Sequence, residues 1–309
     1  MKSLLLIALI FASTNSLAAQ DKPVEFTTIQ LSDSVYMLRG RGGNVGISNG
    51  KDGVYIIDDQ VSPITNQLLQ AIRKISNKPI RFVINTHYHA DHTGGNETIG
   101  GAGAVIIAHD NIRKRMTTEQ VSIFMQNTTP PYAEKALPIV TFNDHMSLHL
   151  NGETATAYHV ANGHTDGDSI IHFPVSNVIH MGDMYFNNQY PYVDLDAGGS
   201  MQGLLAAADL ALSMANESTR IIPGHGPLGI MEDLKNYRDY LVKASANVQE
   251  LIDQEMNLQQ IIAAEPTKEW DEELGKTWIT PAQFVTFIYN SLEGIHHYTP
   301  PVVVEVETE

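Results

Sequence analysis

The chain has no cysteine among its 309 residues. That absence excludes disulfides, thiolate metal ligands, cysteine nucleophiles and a lipidated N-terminal cysteine. Any metal site must use nitrogen and oxygen donors, and an exported chain must draw its stability from core and metal. Basic residues are scarce too: 19 Lys and Arg stand against 35 Asp and Glu, for a formal net charge of −16. A surface of that sign repels nucleic-acid phosphates and counts against a nucleic-acid partner, while favouring solubility. Past the N-terminus no apolar run is long enough to span a bilayer. No Gly-x-Ser-x-Gly elbow is present.

What is present begins with a leader pattern. Lys2 is followed by the apolar run Leu4 to Ala12 and by Ser16-Leu17-Ala18, small residues at cleavage offsets. This predicts a signal peptide over residues 1–18 and a periplasmic or secreted location. The apolar fraction of 43% suits a globular protein with a sizeable core.

Strand and helix signals alternate through the rest. Strands are expected at 53–59, 79–87, 104–109, 153–160, 168–174, 177–183 and 220–223. Helices are expected at 62–76, with Ser62 as N-cap and Pro63 in first position, and from about Ser200 to Met214. From Met231 the chain reads as mainly helical, up to an acidic tail, EVETE. No low-complexity linker interrupts residues 24–240. The simplest organisation is one α/β domain over 24–240 with a helical extension, 241–309, packed on it.

The stretch THYHADHTGG, residues 86–95, places His87, His89, Asp91 and His92 within six positions. By chance, such an H-x-H-x-D-H pattern arises in roughly one chain in a thousand of this composition. In extended backbone, His87 and His89 face one way and can converge on one ion. Gly94 and Gly95 remove bulk where backbone packs close. Further donors follow at later strand ends, each beside glycine: His164 in NGHTDGDS, Asp183 in HMGDMY and His225 in PGHG. Together they make two sites: His87, His89 and His164 for one metal, Asp91, His92 and His225 for the other, with Asp183 bridging. Imidazole and carboxylate suit zinc, with iron or manganese as alternatives.

The ordered motifs H-x-H-x-D-H, G-H-T, G-D and G-H resemble those of the metallo-β-lactamase superfamily, over roughly residues 24–230. The resemblance implies an αββα sandwich and a dinuclear hydrolase. In such an enzyme a metal-bound hydroxide attacks an amide or ester carbonyl, and Asp91 and Asp183 are the catalytic acids. It also implies an acid behind a ligand histidine, matched by Asp58 with Asp59 as rival. Two divalent ions against Asp91, Asp183 and a hydroxide leave about one positive charge, which suits a small-molecule substrate with a carboxylate or polarised carbonyl. β-Lactam turnover and hydrolysis of lactones, other esters or thioesters both stay open. Subclasses of β-lactamase with a cysteine second-site ligand carry it where Asp183 stands, and many carry a basic residue at the position of Phe186. A non-catalytic periplasmic metal-binding protein is the alternative of another class.

Around the expected mouth, Tyr88 points either into the cleft or into core. FNNQYPYVD (186–194) is a substrate lip, with Asn187 or Asn188 as donor, or a packing loop. GRGGNVG (40–46) is a flap or, preferably, a plain turn. QVSPIT (60–65) is expected to border the cleft. His109, His159, His172, His180, His296 and His297 are read as structural or surface residues. Phe284, Phe287, Ile288 and Leu292 share one helical face for packing or dimerisation.

Overall fold

The computed structural model describes residues 24–300; the expected signal segment and the tail EVETE lie outside the described residues. The β-rich runs form two large sheets. In the first, β1 (Thr27–Gln30), β2 (Val35–Arg39), β3 (Val45–Gly50) and β4 (Gly53–Ile57) make an antiparallel meander. β5 (Ile80–Ile84) and β6 (Val105–His109) add in parallel. A detached hairpin follows, β7 (Gln120–Ser122) with β8 (Asn127–Thr129), before β9 (Val140–Phe142) closes the sheet in parallel with β6. The second sheet runs in chain order: β10 (His145–Leu150), β11 (Glu153–His159), β12 (Ser169–Phe173), β13 (Val178–Phe186), β14 (Arg220–His225) and β15 (Gly229–Ile230). Only β13 and β14 are parallel there.

Period-two alternation sorts side chains into three layers. Tyr55 and Ile57 of β4 turn inward to meet Ile171 and Phe173 of β12 between the sheets, and Tyr55 stacks on Phe173 at 6.4 Å. Val54 and Ile56 turn outward onto Leu68 and Ile72 of α1 (Thr65–Ile75). On the far side, Ile170, Ile179 and Ile221 of the second sheet face the helices that follow it. The result is the expected αββα sandwich. Each buried large apolar side chain contributes about 1.5–3 kcal/mol.

Short helices line the first sheet: α2 (Ala90–Thr93), α3 (Asn96–Gly101) and α4 (Asp110–Met116). α5 (Met201–Met214) starts at Ser200, whose Oγ accepts from Gly203 N. The helical C-terminal region comprises α6 (Met231–Asp253), α7 (Leu258–Ala263), α8 (Lys268–Leu274) and α9 (Pro281–Leu292). α9 has a reciprocal cap: Thr280 Oγ1 accepts from Gln283 N, and Thr280 N donates to Gln283 Oε1. α6 crosses residue 240, and Leu241, Ala244 and Val248 share one apolar cluster with β13, α5 and α9. Phe284, Phe287 and Ile288 are buried in that cluster, so this face packs inward.

Two local expectations change. Ser62 does not cap α1: Ser62–Ile64 form a 3-10 turn, and α1 starts at Thr65, whose Oγ1 donates to Ser62 O. Pro63 lacks an N–H and so fits this tight turn as well as a helix start. β5 ends at Ile84, so His87 and His89 lie in a bend and not on extended strand. Their convergence comes from side-chain anchoring of that bend.

Candidate metal centre

β4, β5, β13 and β14 deliver their C-terminal ends, with the β11–β12 loop, to one edge of the sandwich. Asp58 follows β4 with φ of 62°, a left-handed conformation that non-glycine residues adopt at a cost. The twist turns its carboxylate onto the next strand end. Oδ1 accepts from Thr86 N at 2.7 Å, and Oδ2 accepts from Thr86 Oγ1 at 2.7 Å. Oδ2 also lies 2.7 Å from His92 Nδ1. One acid thereby shapes the bend and aims His92. Asp59 faces the other way, and its Oδ1 accepts from Gly95 N. Burial pushes the Asp59 carboxyl well above the usual range and outweighs that bond. A Cβ at Gly94 would lie 2.3 Å from Ser62 N, so the close packing there needs glycine.

All seven expected donors come together. Ligand atoms of His87, His89, His164 and Asp183 form one group, and those of Asp91, His92 and His225 a second; within each, atoms lie within 4.8 Å of one another. Asp183 stands between them. Its Oδ2 is 3.8 Å from His87 Nε2, 3.7 Å from His164 Nε2 and 3.4 Å from His225 Nε2, while Oδ1 is 3.0 Å from His92 Nε2. Asp91 Oδ2 is 3.0 Å from His225 Nε2. Asp183 and His225 sit within β13 and β14, where the register shifts between Gly182 and Phe186. A Cβ at Gly224 would fall 1.9 Å from Asp183 Oδ1.

The nitrogens fit a cation. His164 Nδ1 is tied to Tyr192 O at 2.9 Å, and His89 Nε2 to Asp194 Oδ2 at 2.8 Å. Their other nitrogens, His164 Nε2 and His89 Nδ1, face each other at 2.9 Å. Burial would lower His89, but its bond to Asp194 outweighs that and holds it above its usual value, so the facing pair takes either one shared proton or a cation in its place. His87 Nε2 is buried and has no hydrogen-bond partner. Burial, reinforced by neighbouring imidazoles, holds His87 well below its usual value, and burial brings His164 down to about 4. Both therefore stay neutral, as ligands must. Burial alone would raise Asp183, but His225 and His92 outweigh it and keep the carboxylate charged.

Asp194 is the residue sequence reading missed. It is 2% exposed, and its Oδ2 accepts from both His89 and Tyr88 Oη, the latter at 2.9 Å. Its backbone N donates to His164 O. One side chain thus orients His89 while its backbone braces His164. It lies inside FNNQYPYVD, eight residues after Phe186, with no motif around it.

The other histidines stay outside. His109 and His159 stack at 3.7 Å and bond to Asn143 O and Asp168 O. His180 is buried beside Asn44 O.

The centre opens into a cleft of about 540 Å³. Val61 borders it, and Tyr88, Phe186, Gln189 and Tyr192 line it. Asn187 does not reach in: its Nδ2 donates to Pro227 O. Asn188 lies outside the cleft, so neither amide of that pair is the expected donor there. The 40–46 turn is pinned down. Gly42 N and Gly43 O bond to the Gln60 side chain, and Asn44 N donates to Gly224 O.

Two layers of strands with helices outside and a histidine–aspartate centre at the strand ends define a class of metal-dependent enzyme fold. The chain belongs to the metallo-beta-lactamase superfamily, whose family model matches residues 38–225. A probable metallo-hydrolase of Methanocaldococcus jannaschii is 27% identical over 198 residues, covering 62% of this chain and 90% of that protein. Among solved structures, a metallo-beta-lactamase from Pontibacter korlensis superposes with a TM-score of 0.58 at 19% identity, over 70% of this chain and 99% of the other. The stereoselective inverting sec-alkylsulfatase Pisa1 from Pseudomonas sp. gives 0.64 at 18% identity. That likeness covers 86% of this chain, more than residues 24–240 supply, but only half of the sulfatase.

Proposed function

We propose that this protein is a dinuclear zinc hydrolase that opens an amide or ester carbonyl. His87, His89 and His164 would hold one ion and Asp91, His92 and His225 the other, with Asp183 standing between the two groups. Iron or manganese would suit the same donors. The observation that carries this reading is the meeting of His164 Nε2 and His89 Nδ1 beside the orphaned His87 Nε2, each aimed by a bond at its far nitrogen or by a bend. Ions bound there supply a water deprotonated near neutral pH and a Lewis acid for the carbonyl oxygen.

The protein's own groups do the rest. Asp91, 31% exposed at the cleft floor, orients the attacking water and accepts its proton. The water oxygen bonds to the carbonyl carbon, the C–N or C–O bond breaks, and the proton ends on the departing nitrogen or oxygen. Asp58 and Asp194 keep His92 and His89 from rotating. Tyr88, Phe186 and Tyr192 line the cleft beside these groups. We assign the chemistry to the 24–240 domain with residues 241–309 as its extension, and place the protein in the periplasm after loss of residues 1–18.

β-Lactam amides and the carbonyls of lactones, other esters or thioesters all meet these demands. The test is metal analysis of the purified protein followed by parallel assays of a carbapenem, a cephalosporin and an acyl-homoserine lactone. Two zincs bound without β-lactam turnover would remove that substrate. Tight zinc binding with no turnover across a broad ester and amide panel would favour a non-catalytic metal-binding protein.

A further inference from the structure

The outer wall of the cleft comes from two segments that carry none of the metal donors. One is the β7–β8 hairpin, which contributes Gln120, Ser122, Met125, Asn127 and Thr129. The other is the C-terminal region, which contributes Trp278. The two are joined through Phe124. Its ring lies 5.9 Å from Trp278, 5.3 Å from Phe287 of α9 and 5.0 Å from Tyr298, with Tyr192 stacked at 4.9 Å. Ile123 N donates to Asp196 Oδ2, and Arg115 donates to Gln120 Oε1. The hairpin is therefore fixed in place before any substrate arrives.

This wall leaves apolar surface uncovered. Trp278 is 48% exposed and Met125 46%, and both line the cleft. Exposed apolar side chains grouped in a groove mark a ligand-binding surface, where isolated ones would not. Tyr132 and Val61 line the same cleft. The apolar track starts beside the metal donors, at Tyr192 and Phe186, and leads outward to Trp278. Trp278 stands 5.2 Å from Tyr192, with the rings edge to face.

We propose that the substrate carries an apolar acyl chain that lies along this track, with Trp278 and Met125 as its specificity-determining contacts. The inference deepens the hydrolase reading and rests on it for catalysis, though the binding of the chain can be read separately. A chain running from the reacting carbonyl past Tyr192 covers Trp278 and Met125 and returns them to an apolar environment. Each methylene buried there tightens binding about threefold to fourfold.

Two measurements test it. The first is hydrolysis of straight-chain esters of one alcohol, acetate through decanoate, by the metal-loaded enzyme. KM is expected to fall steadily with length while kcat changes little. In Trp278→Ala the decanoate-to-acetate ratio of kcat/KM should drop about tenfold, with the loss in KM. The second is Trp278 emission in a Trp270→Phe background, which leaves one tryptophan in the chain. Sodium decanoate should shift that emission to the blue, and acetate at equal concentration should not. Ester turnover with no length dependence and no shift would overturn this inference and leave the hydrolase reading standing. A decanoate shift without turnover of any ester or amide would do the reverse.

Discussion

Asp58 and Asp194 each press on a histidine from behind, and the two do different work. Asp58 also holds Thr86 N and Oγ1, so it shapes backbone as well as ring. Asp194 holds the side chains of His89 and Tyr88 by its Oδ2, and its Oδ1 takes only a longer 3.2 Å bond from Ala197 N, a donor that Asp194 O also accepts from at 3.0 Å. Removing Asp194 should therefore cost function more than fold. Asp194→Ala is expected to lower zinc affinity at the first position and kcat/KM by about 10–100-fold, measured by chelator competition and steady-state kinetics. The melting temperature should change less than in Asp58→Ala, which also frees a buried backbone N–H. Gly224 makes a sharper case. Any Cβ there would collide with Asp183 Oδ1 at 1.9 Å. Gly224→Ala should displace the shared acid and lose the second metal first, as metal content per chain would report.

At the scale of elements, what sequence carried and what it did not divide along a physical line. The donors were legible because their identity is chemical: His87, His89, Asp91 and His92 crowd one strand end, and His164, Asp183 and His225 recur at others beside glycine. β4 and α5 were legible as well, the first as an apolar β-rich run at 53–59 ending in acids and the second as a stretch rich in Ala and Leu from about Ser200 to Met214. Asp194 was not legible because its partner His89 is 105 residues away, a separation no local pattern encodes. The β7–β8 hairpin was missed for a related reason. Its strands have three residues each and belong to neither sheet, so Phe124, which turns back onto Phe287 and Tyr298, only makes sense in the folded molecule. That dependence predicts behaviour. Phe124 is partly buried, so Phe124→Ala should cost about 2 kcal/mol, below the 3–5 of a fully buried ring. The loss should be local, with fast amide exchange in 118–130 and little change in the second sheet, as hydrogen exchange by mass spectrometry would show.

For the whole molecule, the sandwich and the metal donors support each other. Asp58 and Asp59 follow β4, His87 to His92 follow β5, Asp183 lies three residues before the end of β13 and His225 ends β14, so the candidate donors tie the first sheet to the second at one edge. The donors also carry a cost. Asp183, Asp91 and Asp58 are drawn together at an edge that is largely buried, and without metal the charges that offset them are protons on His92 and His225, which these acids hold above their usual values against the cost of burial. Ions that bind only the folded chain then stabilise it by mass action, about 4 kcal/mol when free metal stands a thousandfold above its dissociation constant. For a domain of this size that is roughly 10 °C in melting temperature. Exhaustive chelation followed by a thermal scan should show a fall of that order, and adding back zinc in slight excess over two per chain should reverse it. A titration that reaches the full recovery at one zinc per chain would limit the centre to a single ion. If chelation left the melting temperature unmoved, the crowded carboxylates would have to be neutralised by protons on His92 and His225, and the edge would hold without metal.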